Sequence, residues 1–105
     1  MAQAVITDRL YRGVRSKAGT SVTVHLAPGD SRPLADDGAL DWGRPTDGAL
    51  ALTDALAADA LGEAATTDLK ERMFHEVVLP LSFMGPWVIW RQELQEWAEK
   101  ARAAG

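Results

Sequence analysis

Over residues 5–26 apolar and polar positions alternate with a period of two. Ile6, Asp8, Leu10 and Arg12 fall on one side of an extended chain, with Thr7, Arg9 and Tyr11 on the other. After a break at 16–20, which contains Ala18-Gly19, Val22, Val24 and Leu26 alternate with Thr23 and His25. The pattern predicts two strands joined as a β-hairpin. Residues 28–47 lose all period. Pro28, Gly29, Pro33, Gly38, Gly43, Pro45 and five Asp preclude a long helix or a central strand there. A structureless stretch of that length is uncommon in a small domain, so Leu34, Leu40 and Trp42 are expected to pin it to the core. Short strands at 33–35 or 40–42 are compatible with the pattern.

The period then becomes helical. Leu50, Leu52, Leu56, Ala60 and Leu61 sit in an Ala-rich run that ends at Gly62, a natural residue just past a helix end, with Asp47 placed to cap the start. A second helix is predicted from 66–68, with Asp68 and Glu71 at capping-box spacing. Its apolar side is Leu69, Met73 and Val77, flanked by Phe74 and Val78, and Pro80 stops it. Residues 85–89 read as a turn followed by a short extended piece. Trp90, Leu94, Trp97 and Ala101 then recur at the spacing of an amphipathic helix, with Glu96 and Lys100, and Glu99 and Arg102, along its wet side. If the step from Trp87 to Trp90 is extended, the two indoles cannot both face the core, so one should be exposed and mark an interface. The predicted fold is α+β, a small antiparallel β-hairpin or three-stranded sheet packed against three helices. One domain is expected over 1–105, with 1–4 and 103–105 frayed.

Composition narrows the chemistry. At 105 residues, 47 % apolar and 25 % charged, the chain can bury a core of its own, and the absence of Cys excludes disulfides, Cys-ligated zinc, iron–sulfur clusters and thiol catalysis. The net charge of −4 is unevenly spread. Residues 1–35 carry five bases (Arg9, Arg12, Arg15, Lys17, Arg32) against Asp8 and Asp30, a net of +3, and the remainder carries −7. Duplex binding as a main role is disfavoured, although a small basic face remains. With neither an apolar leader nor a run of membrane-spanning length, the expected location is soluble and cytoplasmic.

No catalytic, cofactor or metal-binding set emerges. His75-Glu76 begins a zinc-protease motif, but Leu79 stands where the second His is needed. His25 shares a strand face with Thr23 and Ser21, and residues two apart on a strand stand about 7 Å apart, which sets imidazole and hydroxyl beyond a direct hydrogen bond. Asp36, Asp37, Asp41 and Asp47 do not match the spacing of a calcium loop and read as solvated loop acids and caps. The turn at 42–48 leads into a helix N-terminus, a generic anion site, with Arg44 in favour and Asp47 against; it matches no phosphate-binding fingerprint. The tryptophans read mainly as core.

Several segments are familiar as a set: Tyr11-Arg12-Gly13-Val14-Arg15, Trp42-Gly43, Leu50-Ala51-Leu52, Phe74 followed by Glu76-Val77-Val78, and Trp87 before a helix bearing Glu93-Leu94 and Trp97. Over residues 9–98 this resembles a family of small bacterial and mobile-element proteins known only as a domain of unknown function. Members usually carry a Gly-rich stretch where this chain has Arg44-Pro45-Thr46-Asp47-Gly48, and a Ser or Thr cap where it has Trp90. The resemblance implies an architecture and a cytoplasmic location, and no activity.

The expectation is therefore a small non-enzymatic binding module acting through the exposed hairpin edge and the surface around Tyr11, Arg12, Arg15, Trp42 and Arg44, residue types that dominate interfaces. A protein partner is favoured over nucleic acid, and self-association through the hairpin edge is open. The alternative is a mobile-element or phage-encoded accessory protein that inhibits a host nucleic-acid-processing or defence complex through an acidic surface including Asp54, Asp59 and Glu63. An enzyme would need a pocket bringing His25 or His75 beside a carboxylate.

Overall fold

The structure, a computed structural model, describes residues 9–17, 19–27, 29–34 and 40–104. Residues 5–8 of the first predicted strand, together with Asp36, Asp37 and Gly38, lie outside them. The alternating segment forms β1 (Leu10–Ser16) and β2 (Gly19–Ala27), paired antiparallel with Tyr11 opposite Val24. Two further strands extend the hairpin. β3 (Asp30–Pro33) adds beyond β2, and β4 (Trp87–Trp90) pairs antiparallel with β1, so the sheet order is β3-β2-β1-β4.

Both additions correct the reading from pattern. The third strand falls at 30–33, overlapping the first expected position at Pro33 but beginning earlier, and residues 40–42 form none. The extended piece at 87–90 is a strand of the same sheet, laid along the side of β1 that was expected to be open. The hairpin therefore presents no free β1 edge; the edges are β3 and β4. Strands distant in sequence find each other here because Trp87 and Ile89 bury on the side already occupied by Tyr11, Val22 and Val24. Period two sends Val88 and Trp90 to the opposite side, as expected for two tryptophans flanking an extended step.

Three helices cover the inner side. α1 (Asp47–Leu61) buries Ala49, Leu52, Leu56, Ala57 and Ala60. Its cap is Thr46, whose hydroxyl accepts from the Ala49 N–H at 3.2 Å, and Asp47 lies in the first turn beside the dipole. Gly62 ends it at a φ of 58°. α2 (Thr67–Met73) is capped in the same way by Thr66 rather than through Asp68, its hydroxyl accepting from the Leu69 N–H. The chain then widens into a π-helical turn over Phe74–Val78, in which the Leu79 N–H reaches back to the Phe74 carbonyl at 2.9 Å. The extra residue brings Val78, five past Met73, onto the buried side.

α3 (Arg91–Ala104) starts one residue later than the apolar spacing suggested. The Glu93 carboxylate accepts from the Trp90 N–H at 2.8 Å, half of a capping box without its Ser or Thr, so Trp90 ends β4 instead of opening the buried stripe. Leu94, Ala98 and Ala101 form that stripe. α3 is tied to its neighbours by Gln95 donating to the Ala60 carbonyl and by Arg72 donating to the Ala101 carbonyl.

Leu40 and Trp42 are buried, as their pinning role required. Trp42 meets Trp87 edge to face, ring centroids 5.4 Å apart. Their buried indole N–H groups have no acceptor among the described residues, so area and ring geometry hold the pair. Two glycines make room for this packing. A Cβ on Gly13 would stand 2.3 Å from the Trp87 ring, and one on Gly43, at a φ of 79°, would meet the backbone of Phe83 at 2.8 Å.

Candidate functional site

The five residues expected to form one surface are divided among three places. Tyr11 and Trp42 are wholly buried, so neither side chain meets solvent. Tyr11 points inward because its strand parity matches Val22 and Val24, and its hydroxyl donates to Asp59 Oδ2 on α1 at 2.6 Å. Arg9 Nη1 bonds the other carboxylate oxygen at 2.6 Å, and Arg32 stands 3.8 Å away. Burial and the bond to Asp59 push the Tyr11 phenol far above its ordinary range. Burial opposes charge on Asp59, yet bonds from Tyr11 and Arg9 outweigh it and hold the carboxyl below its usual value. Asp59 is thereby withdrawn from the acidic surface on which the alternative reading relied.

Arg15, Trp42 and Arg44 do come together, around Asp41. This acid is buried where a solvated loop position was expected. Arg15 Nη2 donates to its Oδ1 at 2.6 Å; Arg44 Nε and the Thr46 hydroxyl each donate to Oδ2 at 3.0 Å; and the Trp42 N–H donates to Oδ1 at 2.8 Å. Burial disfavours the carboxylate, but these four donors overcome it and hold Asp41 well below the carboxylate range. Arg15 also donates to the Phe83 carbonyl at 2.7 Å and lies over the rings of Phe83 and Trp42, its Cζ 4.0 and 4.9 Å from their centroids. The cluster fastens the irregular segment and the loop before β4 to β1. The signal for it was present in the acid followed by Arg44 three residues on and Thr46 five on; what could not be read was Arg15 arriving from β1.

Arg12 alone stands on the outer face. The register sets Leu10 directly across from Trp90, and Arg12 directly across from Val88 on one side and Thr23 on the other. Helices pack only on the inner side, leaving Val88 51 % and Trp90 37 % exposed. Of the five large apolar side chains that are exposed among the described residues, Phe83, Met84, Val88 and Trp90 lie within residues 83–90, on β4 and the turn entering it. Leu50 is the fifth. Among the described outward positions of this sheet, Leu10, Arg12, Val14, Ser21, Thr23, His25, Ser31, Pro33, Val88 and Trp90, there is no acid.

The histidines occupy separate surroundings. His25 Nε2 lies 3.1 Å from the Thr23 hydroxyl, closer than the strand spacing implied, because the ring swings along the face to span the gap between alternate Cα atoms. The pair stands on the open sheet face, and no carboxylate bonds the imidazole among the described residues. His75 packs against Phe74 edge to face and lines a cleft of about 480 Å³ between α1 and α2 with Leu50, Asp54, Lys70 and Glu71. Lys70 pairs there with Asp54 at 3.6 Å. Among the described residues no group of three or more His, Asp or Glu could hold a metal, and no helix is long and apolar enough to cross a membrane.

No curated protein and no solved structure gives a significant match to the chain. A family profile does, over residues 11–100, a span running from the buried tyrosine of β1 to the last turns of α3. Apart from Arg9, Leu10 and the last four residues of α3, the sheet, its three helices and both carboxylate clusters fall within the family's extent, and the chain belongs to the family described as a family of unknown function, DUF6166.

Proposed function

We propose that the protein is a small, non-catalytic binding module that engages a protein partner of acidic character through the outer face of its sheet. The observation that carries this reading is the alignment on that face of Leu10 with Trp90 and of Arg12 with Val88, large apolar groups around a cation with no acid beside it among the described residues. An exposed aromatic next to an arginine is the residue combination on which binding energy concentrates. The other two arginines expected on this surface are occupied, Arg15 by Asp41 and Arg44 by both Asp41 and the ring of Phe83.

Affinity capture from native lysate, with and without nuclease, tests the reading when run in parallel on the unaltered chain, Arg12→Glu and Trp90→Ala. The expected outcome is a nuclease-resistant protein retained by the unaltered chain and lost from both variants. Capture that both substitutions leave intact, or that nuclease abolishes, counts against it.

A further inference from the structure

We infer that the free edge of β4 accepts an extended, acidic segment of the partner as a fifth strand, centred on Val88; the inference rests on the outer-face reading above and specifies its mode. The alternation of an antiparallel ladder fixes which backbone groups are available. The Arg91 N–H donates to the Arg9 carbonyl at 2.8 Å, so Arg9 with Arg91, Tyr11 with Ile89, and Gly13 with Trp87 are the pairs that exchange hydrogen bonds. Val88 and Trp90 belong to the intervening pairs and turn their N–H and C=O groups away from β1. The N–H of Trp90 is already held by Glu93. Val88 is left with both of its backbone groups on the open edge, and among the described residues no strand lies beyond β4.

Edge strands in soluble proteins are ordinarily blunted by charge, by a proline or by a bulge. Trp87-Val88-Ile89-Trp90 has none of these within it. A strand laid against it would set alternate side chains on the outer face, where apolar groups meet Val88 and Trp90 and a carboxylate comes within reach of Arg12. A second copy of the chain fits less well. Paired symmetrically about Val88 it stops at the two bonds of that pair, because Pro86 has no N–H and that of Trp90 is occupied, and it brings an uncharged strand to the Arg12 guanidinium. Charge complementarity selects an acidic segment.

The test uses two blocked pentapeptides, in which Val, Glu and Val alternate with Thr, or Val, Lys and Val alternate with Thr, titrated into the full chain and followed by amide NMR shifts. The Glu peptide should bind saturably at millimolar concentration or below, shifting Val88 and Arg12, and the Lys peptide about tenfold more weakly or not at all. Arg12→Glu should reverse that preference. Val88→Pro removes the edge donor without removing a bond of the native ladder, and should weaken the Glu peptide about tenfold while the rest of the spectrum stays folded. If Val88→Pro binds as well as the unaltered chain, with shifts still at Trp90 and Arg12, strand addition is wrong and the outer-face reading stands. Absence of shifts on β4 with either peptide overturns the inference, while the capture experiment decides the outer-face reading separately. A concentration-dependent dimer in sedimentation that Val88→Pro abolishes also overturns it, making the second copy the occupant.

Discussion

The two faces of the sheet are made from the same strands, one residue out of step, and they spend their aromatic and cationic side chains differently. On the inner face the aromatic groups and Arg15 are committed: Tyr11 to Asp59, Trp87 to Trp42 in the adjoining loop, Arg15 to Asp41. On the outer face Arg12, Val88 and Trp90 stand in a row with helices packed only behind them. Residue type therefore does not separate core from contact surface in this protein. Parity does, since a shift of one position along a strand moves a side chain from a closed interior to solvent.

Substitutions on the two faces should differ in kind. Trp42→Ala opens a cavity among buried groups and should lower unfolding free energy by about 3–5 kcal/mol in urea titrations, with the transition midpoint falling accordingly. Asp41→Ala leaves the largely buried Arg15 guanidinium without its counterion and should cost about 3 kcal/mol by the same measurement. A loss under 1 kcal/mol would place that cluster among surface ion pairs of little consequence.

Acid sharpens the inner-face side of the comparison. Asp41 and Asp59 both have carboxyl groups held below the ordinary value of 3.8 in the fold. The unfolded chain takes up their protons first as pH falls, so the stability they contribute is complete above about pH 5 and declines through pH 4 and below. The Tyr11 phenol, raised above 10.0, works in the opposite direction: its contribution is present below pH 10 and is lost as pH rises beyond it. Thermal midpoints across pH 2–7 should slope more gently for Asp41→Asn than for the unaltered chain, and equal slopes would remove Asp41 from this account.

Gly13→Ala should destabilise by about 1–3 kcal/mol, since the added methyl overlaps the buried Trp87 ring. Smallest of all should be Trp90→Ala, about 1 kcal/mol below the unaltered stability because the residue lies on the open face and packs against no helix, yet with capture of the partner lost. An outer-face substitution that unfolds the chain would erase the distinction between the faces.

Much of the architecture is legible in the amino-acid order because it depends on local periodicity. The hairpin, the Gly62 terminus of α1, the pinning of Leu40 and Trp42, and the opposite orientations of Trp87 and Trp90 all follow from alternation or helical spacing. The candidate site was less legible. Tyr11 and Trp42 have the composition of an interface and the burial of a core, and Arg15, Arg44 and Asp41 are separated by loops whose path no pattern encodes.

What the chain alone determines is which residues share a side of each element, a matter of backbone geometry over a few positions. Which side faces the helices, that β4 rather than solvent closes β1, and that Asp41 and Asp59 each collect arginines from distant segments were decided by tertiary packing. The reason is physical: burying Trp87 and Ile89 in the core they share with α1 and α3 determines where β4 can lie, and that placement leaves Val88 and Trp90 at an open edge.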